Sequence, residues 1–227
     1  MIKIAVSGAR GRMGMRIIKF AEEDSDLRVV SKFDIGMDPA PEIARSDVLI
    51  EFTTPEATVE HAVIAGKLKK GIVVGTTGLS KDQIQSLEKI AKDIPVVFSP
   101  NMSVGVNLLF KLSEEASTTL PAEYRVSMIE AHHVHKKDAP SGTAKRLAEI
   151  IARNRGMKVG EIPVQSIREG EIIGDHSVIF DSDTESVELI HRAKSRDTFA
   201  IGAVKAAKFV YGKKKGLFAM NDVLGIR

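Results

Sequence analysis

Apolar positions along this chain recur with two alternating periods. Residues 2–6 form a short β-branched run that ends at Gly8, and residues 13–23 follow with Met13, Ile17, Ile18 and Ala21 spaced as one face of a helix. Residues 27–33 make a second apolar run, closed by Asp34. Strand, glycine-rich turn, helix and strand together predict one βαβ unit. The rhythm continues with strands over 47–52, 71–75 and 94–98. Thr54-Pro55-Glu56 starts a helix with proline at its first position, and Ser80 with Gln83 forms a capping box for a helix reaching about Lys92. Strands alternating with helices argue for a parallel sheet with right-handed crossovers.

After Asn101 the pattern changes. Residues 104–120 read as a long helix with Val106, Leu109, Phe110 and Leu112 as core positions, 124–131 as a strand, and 141–153 as a helix. The stretch 162–193 alternates polar and apolar residues, notably at 177–180 and 186–190, as antiparallel strands joined by polar turns do. Residues 199–211 are again helical, and the last residues look short and irregular. The fold class expected is therefore α/β: a Rossmann-type parallel-sheet domain over 1–103 and 196–227, and a smaller α+β domain over 104–195 with a mixed or antiparallel open sheet. The closing helix returns to the first domain in this reading.

Composition narrows the chemistry without changing the architecture. The chain has 227 residues, of which 43% are hydrophobic and 28% charged, the balance of an ordinary globular protein with a full core. The net charge is only +3 and the run Lys213-Lys214-Lys215 is short, so no nucleic-acid partner is expected. No signal-peptide pattern and no apolar stretch near the ~18 residues of a membrane span is visible, and a cytoplasmic enzyme is expected. There is no cysteine, which excludes disulfides, thiolate nucleophiles and Cys-ligated metals.

Gly8-Ala9-Arg10-Gly11-Arg12-Met13-Gly14 sits where the first strand turns into the first helix. Such a turn needs residues without Cβ, because a pyrophosphate must approach the backbone closely and the helix start points N–H groups at it. Arg10 replaces the second glycine of the usual G-x-G-x-x-G. Asp34 lies twenty residues beyond Gly14 at the end of the second strand, where an acid binds adenosine ribose hydroxyls. A carboxylate there repels a 2′-phosphate, and Ile35 follows where a basic residue would favour one. NADH is therefore the preferred cofactor expected, with NADPH use still open through Arg10 or Lys32. Gly75-Thr76-Thr77-Gly78 and Ser99-Pro100-Asn101-Met102 end the fourth and fifth strands, at the sheet edge where such ligands bind.

The densest chemistry lies in Glu130-Ala131-His132-His133-Val134-His135-Lys136-Lys137-Asp138-Ala139-Pro140-Ser141-Gly142-Thr143-Ala144. On an extended segment His133 and His135 share one face and His132 and Val134 the other. The lysines argue against a metal, and none is expected. A histidine titrates near neutrality, and Ser141 caps a helix whose first amides can cradle an anion. Proton transfer to an anionic substrate is the chemistry this suggests. A regulatory dinucleotide sensor would have no use for such a cluster, and a dehydrogenase acting through a thiohemiacetal would need a cysteine.

This motif resembles the signature of the 4-hydroxy-tetrahydrodipicolinate reductases (dihydrodipicolinate reductases) of the diaminopimelate route to lysine. Phe52-Thr53-x-Pro55-Glu56, Gly75-Thr76-Thr77-Gly78 and Asn101-Met102-Ser103-Val104-Gly105-Val106-Asn107 match further blocks of that family, so the likeness covers essentially the whole chain, with a shortened segment between Asp34 and Asp47. The resemblance implies NAD(P)H-dependent reduction of a cyclic dicarboxylate. It implies His132 as catalytic acid, Lys136 as second proton donor, and His133, Gly142 and Thr143 as substrate contacts. For His135 a structural role and a functional one stand equally open. Gly8, Ala9, Arg10, Gly11, Arg12, Met13, Asp34, Gly75, Thr76, Thr77, Ser99, Pro100, Asn101 and Met102 would hold the cofactor. It also implies a homotetramer built through the second domain's sheet, and domain closure around substrate.

Overall fold

The computed structural model describes residues 1–226. Its elements run β1 (Ile2–Ser7), α1 (Arg12–Glu22), β2 (Leu27–Phe33), α2 (Pro39–Ala44), β3 (Val48–Glu51), α3 (Pro55–Lys67), β4 (Gly71–Val74), α4 (Lys81–Ile90) and β5 (Pro95–Phe98). Then come α5 (Val104–Thr119), β6 (Arg125–His132), α6 (Gly142–Arg155), β7 (Val164–Arg168), β8 (Asp175–Asp181) and β9 (Ser186–Arg192). The chain closes with α7 (Asp197–Tyr211), β10 (Gly216–Phe218) and α8 (Met220–Leu224). It divides into two units: Met1–Val104 with Asp197–Arg227, and Gly105–Arg196.

In the first unit six strands pair in the order β10-β5-β4-β3-β1-β2, all in parallel. Alternate side chains feed opposite faces. Ile4, Val6, Ile50, Val73 and Val97 pack with Ile17 and Ala21 of α1 and with Ala203, Ala207 and Val210 of α7. Ala5, Leu49, Ile72, Val74 and Val96 pack with Ile43, Ala62, Ala65 and Leu87 of α2, α3 and α4. Helices cover both faces, which is why these strands are continuous apolar runs. Each fully buried Val, Ile or Leu contributes roughly 1.5–3 kcal/mol. The closing helix fits closely: a Cβ on Gly202 would stand 1.8 Å from the Met102 carbonyl oxygen. Strand order reverses around β1, which lies between β2 and β3, and such a switch point is where a doubly wound sheet opens a ligand crevice at its carboxyl ends.

The second unit holds a sheet of order β7-β6-β8-β9, with β6, β8 and β9 antiparallel and β7 parallel to β6. Val126, Met128, Val178 and Phe180 pack against Leu147, Ala148 and Ile151 of α6 and Leu109 of α5. Pleat alternation puts Glu130 and His132 on the same buried face as Val126 and Met128. The other face carries Ile129, Ile167, Ile179 and Ile190, the last of them 46% exposed.

Four features differ from the sequence expectation. Residues 39–44 form α2, started by Asp38, whose side chain accepts from Ala40 N–H at 3.0 Å, with Pro39 following; Ile43 anchors it in the core. The stretch 162–193 holds one strand more than its alternation marks, and β7 pairs parallel because α6 intervenes between it and β6. The tail is ordered as β10 and α8, since Gly216–Phe218 extends the sheet edge beside β5 and Met220 is buried. Leu112 is 43% exposed instead of buried, because α5 turns its Leu109 side inward.

Candidate functional site

Two groups of functional side chains stand at strand ends, one in each unit. In the first unit the turn after β1 is held tight. Gly8 adopts φ +72°, and Gly11 N–H donates to the Gly8 carbonyl at 2.9 Å. A Cβ on Gly8 would meet the Phe52 carbonyl oxygen at 2.4 Å, and one on Gly14 the Gly8 carbonyl oxygen at 2.1 Å. The turn is thus a cradle that side chains would fill, and α1 begins immediately beyond it at Arg12. Asp34 leaves β2 and reaches this turn: its Oδ2 accepts from Arg10 N–H and its Oδ1 from Ile35 N–H, each at 2.9 Å. Those two backbone donors hold its carboxyl below the usual carboxylate range. Lys32 is engaged with Glu22 at 2.6 Å, and Ile35 is 95% exposed.

The loops after β4 and β5 complete this edge. Thr76 is buried, and its Oγ1 accepts from Thr53 N–H at 3.1 Å and from Thr58 Oγ1 at 2.8 Å. Ser99 N–H donates to the Val74 carbonyl at 3.2 Å, and Asn101 Oδ1 accepts from Ser103 N–H at 2.9 Å. Gly75 faces the Phe52 ring so closely that a Cβ would stand 2.1 Å from it. Gly8 to Met13, Asp34, Gly75 to Thr77 and Ser99 to Met102 therefore occupy the carboxyl ends of neighbouring strands. A cradle closed to side chains, a helix start and an ionised acid fit a dinucleotide's pyrophosphate and ribose.

In the second unit the site is built by strand register. Glu130 on β6 stands opposite His176 on β8, and His132 beside Arg168 on β7. His132 Nδ1 and Glu130 Oε2 are hydrogen-bonded, and Arg168 Nη2 donates to Glu130 Oε1 at 2.8 Å. Burial alone would raise the Glu130 carboxyl, but hydrogen bonds from Arg168, Ser166 and His132 outweigh it and hold the group below its ordinary value. The ionised acid fixes the ring with a proton on Nδ1, and Nε2 is the ring nitrogen outside that bond. A Cβ on Gly174 would lie 3.1 Å from that Nε2, so a side chain there would crowd the ring. Burial pulls the His132 imidazole below its usual value, against the pull of Glu130 in the other direction.

Around this pair stand the remaining groups. Lys136 Nζ lies 2.7 Å from Asp138 Oδ1, and Arg168 ties the backbone between them, donating to the Lys136 carbonyl at 3.3 Å and the Asp138 carbonyl at 2.5 Å. Ser141 caps α6 by accepting from Ala144 N–H at 3.2 Å, and its Oγ is 3.1 Å from His176 Nε2. His176 stands edge-on to His132 with centroids 5.2 Å apart, and burial, then the His132 charge, pulls its pKa down to about 3. His133 Nδ1 is buried without a hydrogen-bond partner, while the His133 and His135 rings lie 6.2 Å apart and His135 is exposed. Gly142 and Thr143 open α6, directly after the Ser141 cap.

The structure thus gathers His132, His133, Lys136 and the α6 start into one unit. It adds Glu130, Arg168, Asp138 and His176, to which the sequence reading assigned no role. Glu130 was within reach of that reading, two residues from His132 on an extended segment. Arg168 and His176 arrive from other strands and carry no local signal. One donor atom each of Glu130, His132 and His176 lies within 4.8 Å of the others, a metal-like grouping. Both Glu130 oxygens are already engaged, and the Arg168 and Lys136 charges beside His132 oppose a cation. Among the described residues no helix is long and apolar enough to cross a membrane.

Comparison with known proteins agrees along the whole chain. The family model "Dihydrodipicolinate reductase, N-terminus" matches residues 2–102, and "Dihydrodipicolinate reductase, C-terminus" matches residues 105–224. The chain is 40% identical to the 4-hydroxy-tetrahydrodipicolinate reductase of Nitrosomonas eutropha, covering 100% of this chain and 99% of that protein. It is 43% identical to that of Aquifex aeolicus, covering 99% of each. Among solved structures, a dipicolinate-bound dihydrodipicolinate reductase from Paenisporosarcina sp. TG-14 superposes with a TM-score of 0.86 at 25% identity, over 96% of this chain and 97% of that one.

Proposed function

The chain belongs to the 4-hydroxy-tetrahydrodipicolinate reductase (dihydrodipicolinate reductase) family, and on that premise we propose how its residues divide the work. The enzyme is an NAD(P)H-dependent oxidoreductase that carries out the reduction step of lysine and diaminopimelate biosynthesis. When bound, the reduced dinucleotide supplies the hydride. His132 delivers the accompanying proton from Nε2 to the ring of the cyclic dicarboxylate. Glu130 orients it, and Arg168 holds Glu130. The substrate's carboxylates favour the imidazolium form that burial alone disfavours. Lys136, braced by Asp138, binds a carboxylate, stabilises developing negative charge and acts as second proton donor. His133, with its unpartnered buried Nδ1, and Gly142 and Thr143 at the α6 start receive the rest of the substrate. The observation that carries this reading is the buried Glu130–His132 pair at the end of β6, beside Lys136 and the α6 start.

Gly8 to Met13, Asp34, Gly75 to Thr77 and Ser99 to Met102 hold the cofactor in this proposal. NADH is preferred, because the Asp34 carboxylate accepts ribose hydroxyls and repels a 2′-phosphate. Lys32, committed to Glu22, does not offset that repulsion. Oxidation of each cofactor, followed by absorbance with enzymatically generated substrate, should give a KM for NADPH roughly tenfold above that for NADH, the size of one like-charge contact. Equal KM values, or a lower one for NADPH, would remove the preference; silence with both would remove the reading.

The uncovered face of the second sheet, with Ile129, Ile167, Ile179 and Ile190, is the surface we propose for a homotetramer. A patch of this kind on one sheet face marks an interaction site. Sedimentation of the parent should report a tetramer, and Ile179→Glu should shift it to smaller species. An unshifted tetramer in the variant would place the interface elsewhere.

A further inference from the structure

A second acid–histidine pair lies buried in the first unit, outside the chemistry described above. Glu51 is the last residue of β3 and fully buried, and His61 on α3 is 9% exposed. His61 Nδ1 lies 2.7 Å from Glu51 Oε2 and 3.2 Å from Ser7 Oγ. The other Glu51 oxygen accepts from Thr53 Oγ1, and the Glu51 carbonyl accepts from Gly75 N–H at 3.0 Å. Thr53 N–H in turn donates to Thr76 Oγ1 at 3.1 Å, which also accepts from Thr58 on α3. The His61 ring stands edge-on to Phe33 at 5.4 Å, and Ala9 N–H donates to the Phe33 carbonyl at 3.2 Å.

Four strand ends therefore converge on one pair. Ser7 precedes the Gly8 turn, Phe33 precedes Asp34, Glu51 leads to Thr53, and Thr53 reaches the loop after β4 through Thr76. A carboxylate out of water is costly unless it is paired and fully hydrogen-bonded, and an apolar pair of the same volume would fill this space without that cost. The pair's partners are the last residues of β1 and β2, which lead into the Gly8 turn and Asp34, and Thr53 and Gly75 in the loops after β3 and β4.

We propose that Glu51 and His61 are positioning residues for the dinucleotide, a buried link that sets the spacing of the loops after β1, β2, β3 and β4. This rests on the assignment of the loops after β1, β2 and β4 to the cofactor; the loop after β3 joins them through Thr53 and Thr76. The link acts on binding and leaves proton delivery by His132 untouched, so its loss separates cofactor affinity from turnover.

The test uses the full-length enzyme. His61→Leu removes the donor, His61→Asn restores one, because the amide Nδ2 takes the place of ring Nδ1, and Glu51→Gln removes the acid's charge while keeping its shape. Measured quantities are the NADH dissociation constant by fluorescence, KM for NADH and for substrate, kcat at saturation, and the melting temperature. His61→Leu and Glu51→Gln should weaken NADH by about tenfold or more, the equivalent of one lost buried hydrogen bond. Saturated kcat and the substrate KM should stay at parent values, and His61→Asn should recover most of the affinity. A lowered melting temperature with unchanged NADH affinity, or His61→Asn no better than His61→Leu, would overturn the proposal. If His61→Leu does not fold, Glu51→Gln against the parent decides in the same way. Asp34→Ala serves as the direct-contact control. Unchanged NADH affinity in Asp34→Ala would sink the cofactor assignment itself, whereas a loss there with none in Glu51→Gln would sink only the positioning role.

Discussion

Replacing His132 by Gln lowers turnover by about 10²–10⁴-fold, the range for loss of a positioned general acid, and leaves NADH affinity unchanged. A glutamine amide reaches the position of ring Nε2 but carries no titratable proton, so the lost quantity is the proton. The pH profile adds a second signature. As the proposed acid His132 acts in its protonated form, and burial places its pKa below the usual 6.5 even though Glu130 pulls upward. For the free enzyme kcat/KM therefore begins to fall below pH 6.5 as pH rises, while in kcat the limb moves to higher pH because the bound dicarboxylate favours the imidazolium. Steady-state rates from pH 5 to 9 for the parent and His132→Gln check both points. Near-normal turnover in the variant, or an unchanged alkaline limb, would take the acid role away from His132.

Acid should destabilise the folded protein through His176. Its pKa is about 3 in the folded chain against 6.5 for the exposed group, so the unfolded chain takes up a proton where the folded one does not. The sign follows: the contribution is fully present above pH 6.5 and is lost as pH falls toward 3, amounting to roughly 5 kcal/mol over that window. His132 and His191, also lowered by burial, act in the same direction. Denaturant titrations of the parent and His176→Gln at a series of pH values isolate the term, because carboxylate effects are common to both. The variant should lose stability less steeply below pH 6.5. Parallel curves would mean that His176 takes up its proton in the folded state without penalty.

How far the chain announces itself differs between its two sites. The Gly8–Gly14 turn, Asp34 and the stretch from Glu130 to Ala144 are written locally, since each does its work within a few residues of a single strand end. The alternation of strands and helices up to residue 98 was legible for the same reason: β3 and β4 are continuous apolar runs, and α1 shows its inward face as Ile17 and Ala21. Short elements were not. α2 has six residues and one buried anchor, Ile43, and β10 is three residues that become a strand only because β5 is there to pair with. β7 carries no clear alternation, and its parallel direction follows from the crossover through α6.

The sequence by itself determined the parallel-sheet architecture, the glycine cradle and the residues of the His-Lys motif, because these depend on backbone sterics and on period. Only the tertiary structure decided which groups govern those residues. Register between β6, β7 and β8 brings Arg168 and His176 to Glu130 and His132, and the meeting of four strand ends gives Glu51 and His61 their partners. Residues distant along the chain become neighbours through hydrogen-bonded pairing and core packing, and no local pattern encodes that distance.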